Sequence, residues 1–277
     1  MKIVRFRHKD KVSLGVLEGE EIKVLHEKSI KKLIKKHDFG LKDKSFKLSE
    51  VELLAPMARP KQDVICLGIN YMDHAKESAK FKKESFDGKR EEAVYFSKRV
   101  NDFTNPNATV KINSKTSQLD YECELALIIG KDAHNIKAKD AKDYIFGYTI
   151  GNDISARDLQ LKHKQFYAGK SLESSLPLGP VILLASKDEN PDTLNLDVKT
   201  YVNGELRQSS NTKYLIFNIG YVLEELSSYF LIKAGSIILM GTPSGVGMGF
   251  NPPKFLKAGD VVKCEIEKIG TLTTTFS

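Results

Sequence analysis

The sequence predicts an α+β fold, mostly β, in which a large curled mixed sheet follows a small N-terminal module. Three observations predict it. Short apolar runs rich in β-branched and aromatic residues recur from Lys61 onward ("DVICLGI", "AVYFSK", "ELALIIG", "YIFGYTIGND", "GPVILLA", "SIILMG", "DVVKCEIEKIGTL"), which is the signature of strands. Helical spacing is confined to a few segments, so a regular βαβ alternation is not predicted. The proline-bounded stretch "APMARP" reads as a linker, dividing residues 1–55, a small α/β domain, from residues 56–277, a larger domain.

In chain order, "KIVRFRH" and "VSLGVLEG" alternate like strands, and "IKKLIKKH" has helical spacing. Helices are expected over 72–80, over 155–164 and across "FNIGYVLEELSSYF". The segment "VNGEL" centres on Asn203-Gly204, the strongest short-range hairpin signal. No internal repeat or low-complexity tract interrupts these elements.

The 277 residues are ample for a real core. The longest apolar runs are far too short to cross a membrane as helices, and "MKIVRFRHKDK" lacks the apolar core of a signal peptide. Cys66, Cys123 and Cys264 lie far apart, each in an apolar segment, as expected of buried, reduced thiols. A soluble, cytoplasmic protein is expected. The net charge of +7 is spread over scattered lysines without a basic-aromatic repeat. It reads as a solvated surface with some attraction for small anions, and no nucleic-acid or membrane partner is expected.

The stretch "DYECELALIIG" carries the first chemical signal. On a strand, Glu122 and Glu124 share a face with Ala126 and Ile128, while Tyr121, Cys123, Leu125, Leu127 and Ile129 share the other. Two carboxylates so placed repel by about 2–3 kcal/mol at an effective dielectric of about 20, so they either face water or are compensated. "GYTIGNDISARDLQ" supplies a third acid, Asp153, where strand gives way to helix. An aspartate there is ordinarily an N-cap, but Ser155 followed by Asp158 offers a capping-box-like start of its own. Three carboxylates without a convergent Cys or His suit a hard cation, Mg2+ or Mn2+. An exposed acidic pair on a strand is the equally common alternative.

Other residues carry weaker signals. In "GINYMDHAKES", His74 and Glu77 lie three apart and share a helical face. They could form a general base with a tautomer-fixing carboxylate, or simply be neighbours on a surface helix. Arg157 and Gln160 share a face by the same spacing, and Arg157 could grip a substrate carboxylate or make a surface salt bridge. Lys170 in "AGKSLE" is either a surface lysine or an ammonium aimed at developing negative charge. "MGTPSGVGMGF" lacks the phosphate-loop pattern. A tight turn bringing backbone amides and the Thr242 hydroxyl near a ligand is one reading, an ordinary strand connection the other.

Taken together and in order, "LGINYMDHAKE", "VYFSK", "DYECELALIIG", "GYTIGNDISARDLQ", "QFYAGKSLE", "PLGPVI", "VNGELRQSSNT", "GTPSGVG" and "FLKAGDVVKCEIEKIGTL" resemble the fumarylacetoacetate hydrolase family from about residue 52 to the C-terminus. The first 50 residues look like the small N-terminal region of many bacterial members. The resemblance implies a mixed β-sheet roll, usually a homodimer. It implies a site where Glu122, Glu124 and Asp153 match ligands of a divalent metal and His74 with Glu77 matches a water-activating pair. Arg157, Gln160, Lys170 and Thr242 match positions that hold the keto-acid end of the substrate or its developing charge. The implied activity is metal-dependent cleavage of a carbon–carbon bond in a small 2-oxo or 2,4-dioxo acid of acylpyruvate, fumarylacetoacetate or oxaloacetate type. The alternatives are a 2-hydroxyhepta-2,4-diene-1,7-dioate isomerase or decarboxylase of aromatic catabolism, and a non-catalytic ligand- or nucleic-acid-binding protein on the same scaffold. Glu173 stands where relatives commonly carry Asp. The lysine-rich stretch from His74 to Ala93 is expected to be a mobile lid.

Overall fold

The strand Cys123–Ile129 is buried along its whole length, and the rest of the molecule is arranged around it. Leu125, Leu127 and Ile129 enter one apolar cluster, Ala126 and Ile128 a second on the opposite face. The period-2 geometry of a strand thus divides the core in two. This is a computed structural model, describing residues 1–89 and 91–277.

Cys123–Ile129 pairs antiparallel with Ile145–Asn152 on one side and Ile237–Leu239 on the other. From Ile237–Leu239 the sheet continues through Val64–Leu67, which runs parallel to it, to Tyr95–Lys98. In the other direction it runs through Leu178–Leu184 to Lys2–His8, Lys11–Glu18, Glu21–Leu25 and Leu41–Lys47. A second sheet of five strands, ordered Glu205–Asn211, Asp197–Val202, Val261–Ile266, Gly270–Phe276 and Thr109–Val110, closes over the first cluster. Val198, Val262, Leu272 and Phe276 meet Leu125, Leu127 and Ile150 there. The result is the predicted mostly-β mixed-sheet architecture.

Asn203 and Gly204 both have positive φ, 52° and 84°. These are the backbone states that Asn-Gly favours in a two-residue hairpin turn, and they join Asp197–Val202 to Glu205–Asn211. The helices are Ile30–Lys36, Met72–Lys82, Arg157–His163, Phe166–Lys170 and Ile219–Tyr229. None among the described residues is long and apolar enough to cross a membrane. The three cysteines are free and buried.

Two local expectations are corrected. Ser155 does not cap the following helix: Ser155–Ala156 pairs with Leu119–Asp120 as a short strand, so the helix begins at Arg157. The Ser155 hydroxyl donates to the Asp153 carbonyl, and Asp158 accepts from the Thr116 hydroxyl and the Ser117 amide. The proposed lid begins as ordered helix. His74, Ala75 and Ser78 form the buried face of Met72–Lys82, so any closing stretch has to follow Lys82. Arg90, within the expected lid, lies outside the described residues.

The first 55 residues are sewn into the larger sheet. Lys2 and Ile3 pair with Leu183 and Ile182. Val4 and Phe6 enter the first cluster and Ile3 the second, beside Ile30, Leu33 and Ile34 of the short helix. Removing residues 1–56 would strip one edge of Leu178–Leu184 of its partner and open both clusters. Exposed strand edges associate. The truncated chain is expected to aggregate at temperatures where the full chain stays dispersed, as read by light scattering during a thermal ramp. An equally well-dispersed, cooperatively melting fragment would show that the N-terminal module is dispensable.

Candidate active site

Glu122 and Glu124 stand where the doubly buried strand begins, and the register of its neighbour brings in the third acid. Cys123 pairs with Asn152 and Glu124 with Gly151. The chain then turns so that the Asp153 amide donates to the Glu122 carbonyl at 2.8 Å. One carboxylate oxygen from each of Glu122, Glu124 and Asp153 lies within 4.8 Å of the others, and all three residues are buried.

Three cations lie among these acids. Lys170 Nζ donates to Glu122 Oε2 and Asp153 Oδ2, both at 2.6 Å. The short helix Phe166–Lys170 sets it there, and Gly169 is required because a Cβ would fall 2.7 Å from the Ala156 carbonyl oxygen. Lys98, fully buried at the end of Tyr95–Lys98, donates to Asp153 Oδ1 at 2.7 Å and to the Ile154 carbonyl. Arg157 reaches Glu122 Oε1 at 2.7 Å through Nη1 and Asp120 Oδ2 at 2.9 Å through Nε. Its Nη2 is buried without a hydrogen-bond partner among the described residues.

The electrostatics follow from this layout. Burial alone would raise the Glu122 carboxyl, but Lys170 and then Arg157 outweigh it and hold it well below the usual range. Burial lowers the Lys170 ammonium, yet Asp153 and then Glu122 reverse the sign and raise it. Lys98 is lowered, because burial exceeds the help from Asp153. Glu124 differs from all of these. Burial pushes it well above the ordinary carboxylate range, and Asp153 and Glu122 push it further. Its partner is the Gly241 amide at 2.6 Å, and among the described residues no lysine or arginine lies within 4 Å of it. The donor set therefore fits a divalent cation: oxygen-only, convergent, and short of positive charge at Glu124.

Beside the acids, His74 Nδ1 lies 2.9 Å from Glu77 Oε2. A carboxylate only accepts, so Nδ1 carries a proton in this contact, and Nε2 is the ring nitrogen left to exchange one. Glu77 Oε1 is fixed in turn by the Gly245 amide at 2.9 Å. His74, Glu122, Arg157, Gln160 and Lys170 line one cavity of about 280 Å3, with Phe96, Phe166 and Met248 as apolar wall and Lys82 and Lys164 among its lining. Gln160 is oriented by accepting from Arg157 Nη1 at 3.2 Å.

Thr242 is placed elsewhere. Its hydroxyl donates to the Cys123 carbonyl at 2.9 Å and accepts from Gln208 Nε2 at 2.8 Å. It fastens the loop to the strand and does not line the cavity. The loop's amides approach acidic side chains of the protein itself: Gly241 to Glu124, Gly245 to Glu77, Gly247 and Met248 to Asp120. Glu173 lies outside the cavity, beside Arg99 and Asp102.

Lys98, Asp120 and Gln208 were not singled out from the sequence. A lysine closing the apolar run of "VYFSK" was the available clue for Lys98. Asp120 was visible only as one more acid before Glu122, and Gln208 gave no signal on an alternating strand.

Gly249 offers a sharp test of the imidazole–carboxylate pair. A Cβ there would sit 1.7 Å from Glu77 Oε1, so Gly249→Ala has to displace that carboxylate and free the imidazole. It is expected to lower kcat by at least about tenfold, a loss of roughly 1.4 kcal/mol of transition-state stabilisation, with circular dichroism unchanged. Wild-type kcat in the folded variant would show that Glu77 does not set the imidazole.

Comparison with known proteins places this chain in a family. Residues 63–277 match the family model described as fumarylacetoacetate (FAA) hydrolase C-terminal, and residues 1–56 match one described as Rv2993c-like, N-terminal. An oxaloacetate tautomerase from Bacillus subtilis (strain 168) is 45% identical over 259 residues, covering 93% of this chain and 83% of that protein. Among solved structures, a fumarylacetoacetate hydrolase from psychrophilic Exiguobacterium antarcticum superposes with a TM-score of 0.86 at 36% identity, over 100% of this chain and 99% of that one. A 2-hydroxyhepta-2,4-diene-1,7-dioate isomerase from Mycobacterium marinum does so with a TM-score of 0.80 at 30% identity, over 100% and 98%. The chain belongs to the fumarylacetoacetate hydrolase family.

Proposed function

We propose that this protein is an enzyme that moves a proton between the enol and keto forms of a small 2-oxo dicarboxylic acid of oxaloacetate type, with Mg2+ or Mn2+ at Glu122, Glu124 and Asp153. The observation that carries this reading is a single-residue base, His74, fixed by Glu77 and lining the same small cavity as Arg157, Gln160 and Lys170. The 45% identity to an oxaloacetate tautomerase supports the choice of substrate.

The cation, when bound, supplies positive charge that draws electron density toward the substrate's 2-oxygen. Arg157, which lines the cavity, is suited to the substrate carboxylate next to that oxygen. Lys170 and Gln160 surround the charge that develops as the proton moves. In the enol-to-keto direction the enol O–H proton passes to bulk water, the O–H pair becomes the C2=O π bond, and the C2=C3 π pair takes a proton at C3 from His74, which solvent then reprotonates. His74 Nε2, protonated for this half of the cycle, delivers that proton, and Glu77 stabilises the imidazolium. The reverse direction runs the same steps backward. Lys82 and Lys164 are suited to the distal carboxylate.

Carbon–carbon hydrolysis is the second reading. It is favoured by the same pair, which could direct water at a distal carbonyl, and by the likeness to a fumarylacetoacetate hydrolase structure. Oxaloacetate, acetylpyruvate, fumarylacetoacetate and a dienedioate, each assayed with and without EDTA, separate these readings. Enol-oxaloacetate is expected to ketonise faster with enzyme, followed by its ultraviolet band, with the gain lost in EDTA and restored by Mg2+ or Mn2+. His74→Ala is expected to reduce kcat by about 10^2–10^4 while Mn2+ still binds. Acetylpyruvate cleavage without any effect on enol-oxaloacetate would reject tautomerisation in favour of hydrolysis.

The mouth residues give a separate test. Lys82→Ala combined with Lys164→Ala is expected to raise KM for oxaloacetate about tenfold and to leave KM for a monocarboxylic 2-oxo acid within about twofold. Equal changes for both acids would show that these lysines do not read the second carboxylate.

A further inference from the structure

A cavity larger than the candidate active-site one lies elsewhere on the molecule. A cleft of about 970 Å3 opens where the helix Ile30–Lys36 meets the larger sheet, and it shares no lining residue with the catalytic cavity. Such a volume lies at the upper end of the roughly 300–1,000 Å3 typical of small-molecule sites.

Its rim is strongly basic. Lys31, Lys35, Lys61, Lys131, Lys142 and Lys187 come from separate segments of the chain, apart from the first two. None of the six has a carboxylate within 4 Å among the described residues. Lys233 also lines the cleft, but Asp132 holds it at 2.9 Å. Asp132 and Asp143 are the two acids in the lining. Lys31 and Lys35 repel one another along the helix face at i,i+4. Like charges gathered around one concave surface are the electrostatic complement of a polyanion.

The floor is apolar and aromatic. Phe39 stacks on Phe146 with an interplanar angle of 16° and centroids 6.5 Å apart, and the His37 ring lies 5.9 Å from Phe146. His37 is exposed and Phe39 half-buried, so both can present ring surface to a ligand. Ile34, Ile145 and Leu184 complete the floor. No arginine contributes, so the planar fork that suits carboxylates is missing from the lining. Compact ammonium groups around a ring-stacking floor suit phosphate oxygens attached to a planar heterocycle. The lysines surround one cavity, which fits a ligand of limited length.

We propose that this cleft binds a nucleoside di- or triphosphate, its base against His37 and Phe39 and its phosphates among Lys31, Lys35, Lys142 and Lys187. The inference is independent of the reaction at the catalytic site.

Isothermal titration of the full chain, loaded with Mn2+, against ATP, adenosine, inorganic tripolyphosphate and a single-stranded DNA oligonucleotide tests it. ATP is expected to bind one site per chain, at least about tenfold more tightly than adenosine or tripolyphosphate, and more weakly as salt rises. The triple variant Lys35→Ala, Lys142→Ala, Lys187→Ala is expected to weaken ATP at least about tenfold and to leave catalytic turnover and the melting temperature unchanged. His37→Ala is expected to weaken ATP but not tripolyphosphate. The proposal is overturned by no saturation below about 5 mM ATP or by tripolyphosphate binding as tightly as ATP. Affinity untouched by the triple variant, or DNA displacing ATP with higher affinity, overturns it equally.

Discussion

Burying Cys123–Ile129 on both faces is the constraint from which the site follows. A strand that separates two apolar clusters has no wet face on which to place Glu122 and Glu124. Moving a carboxylate into such surroundings costs several kcal/mol unless cations and hydrogen bonds compensate. Compensation is therefore built into every neighbouring element: Lys170 from a short helix, Lys98 from a sheet edge, Arg157 from the first turn of another helix. Asp120, Glu122, Glu124 and Asp153 face three cations. The acid left without one is Glu124, whose carboxyl burial and its acidic neighbours push upward. A divalent ion would occupy the one place where this arrangement is short of positive charge.

The loop after Ile237–Leu239 shows how backbone serves the same end. Its amides reach Glu124, Glu77 and Asp120, acids with three different tasks: the carboxylate cluster, the imidazole pair and the arginine anchor. Gly245 can do this because its φ is +99° and a Cβ would lie 1.9 Å from the Arg207 carbonyl oxygen. Thr242 and Gln208 hold the loop against the strand, Gln208 also bonding the Thr200 hydroxyl. Side chains that a ligand would meet and backbone that orients them are thus parts of one hydrogen-bonded assembly. Deforming the loop would disturb the carboxylate cluster and the imidazole pair together.

What the sequence revealed was what local chemistry encodes. Period-2 patterning gave the strands, Asn203-Gly204 the hairpin, and the E-x-E spacing the shared face of Glu122 and Glu124. The convergence of Asp153 with them depends on antiparallel register between two strands, which no local pattern states; residue type offered it as one of two readings, and the resemblance favoured it. Lys98 was hidden because a lysine ending an apolar strand ordinarily reaches solvent, and only the fold shows that it is fully buried against Asp153. Thr242 was expected near the ligand because a hydroxyl in a glycine-rich loop suits that role. Its two hydrogen bonds turn it into a fastener instead. The lysines that the chain scatters over Lys31 to Lys187 looked like a diffuse surface, yet folding gathers them around one cleft.

The choice between proton transfer and hydrolysis turns on space and water more than on residue identity. A base held like His74 can relay a proton to carbon or direct a water at a carbonyl. Hydrolysis needs the substrate and a positioned water together, and it needs a longer acid with a distal carbonyl. At about 280 Å3 the catalytic cavity lies just below the usual range for ligand sites. Phe96, Phe166 and Met248 give it an apolar wall opposite the polar groups His74, Arg157, Gln160 and Lys170. On the proposed reading, a small dicarboxylic acid would meet Arg157 with one charged end and Lys82 and Lys164 with the other. Proton exchange between its tautomers then asks for no further molecule in the site. Volume more than wall polarity separates the two readings: a hydrolase would need room for a longer acid and a positioned water together.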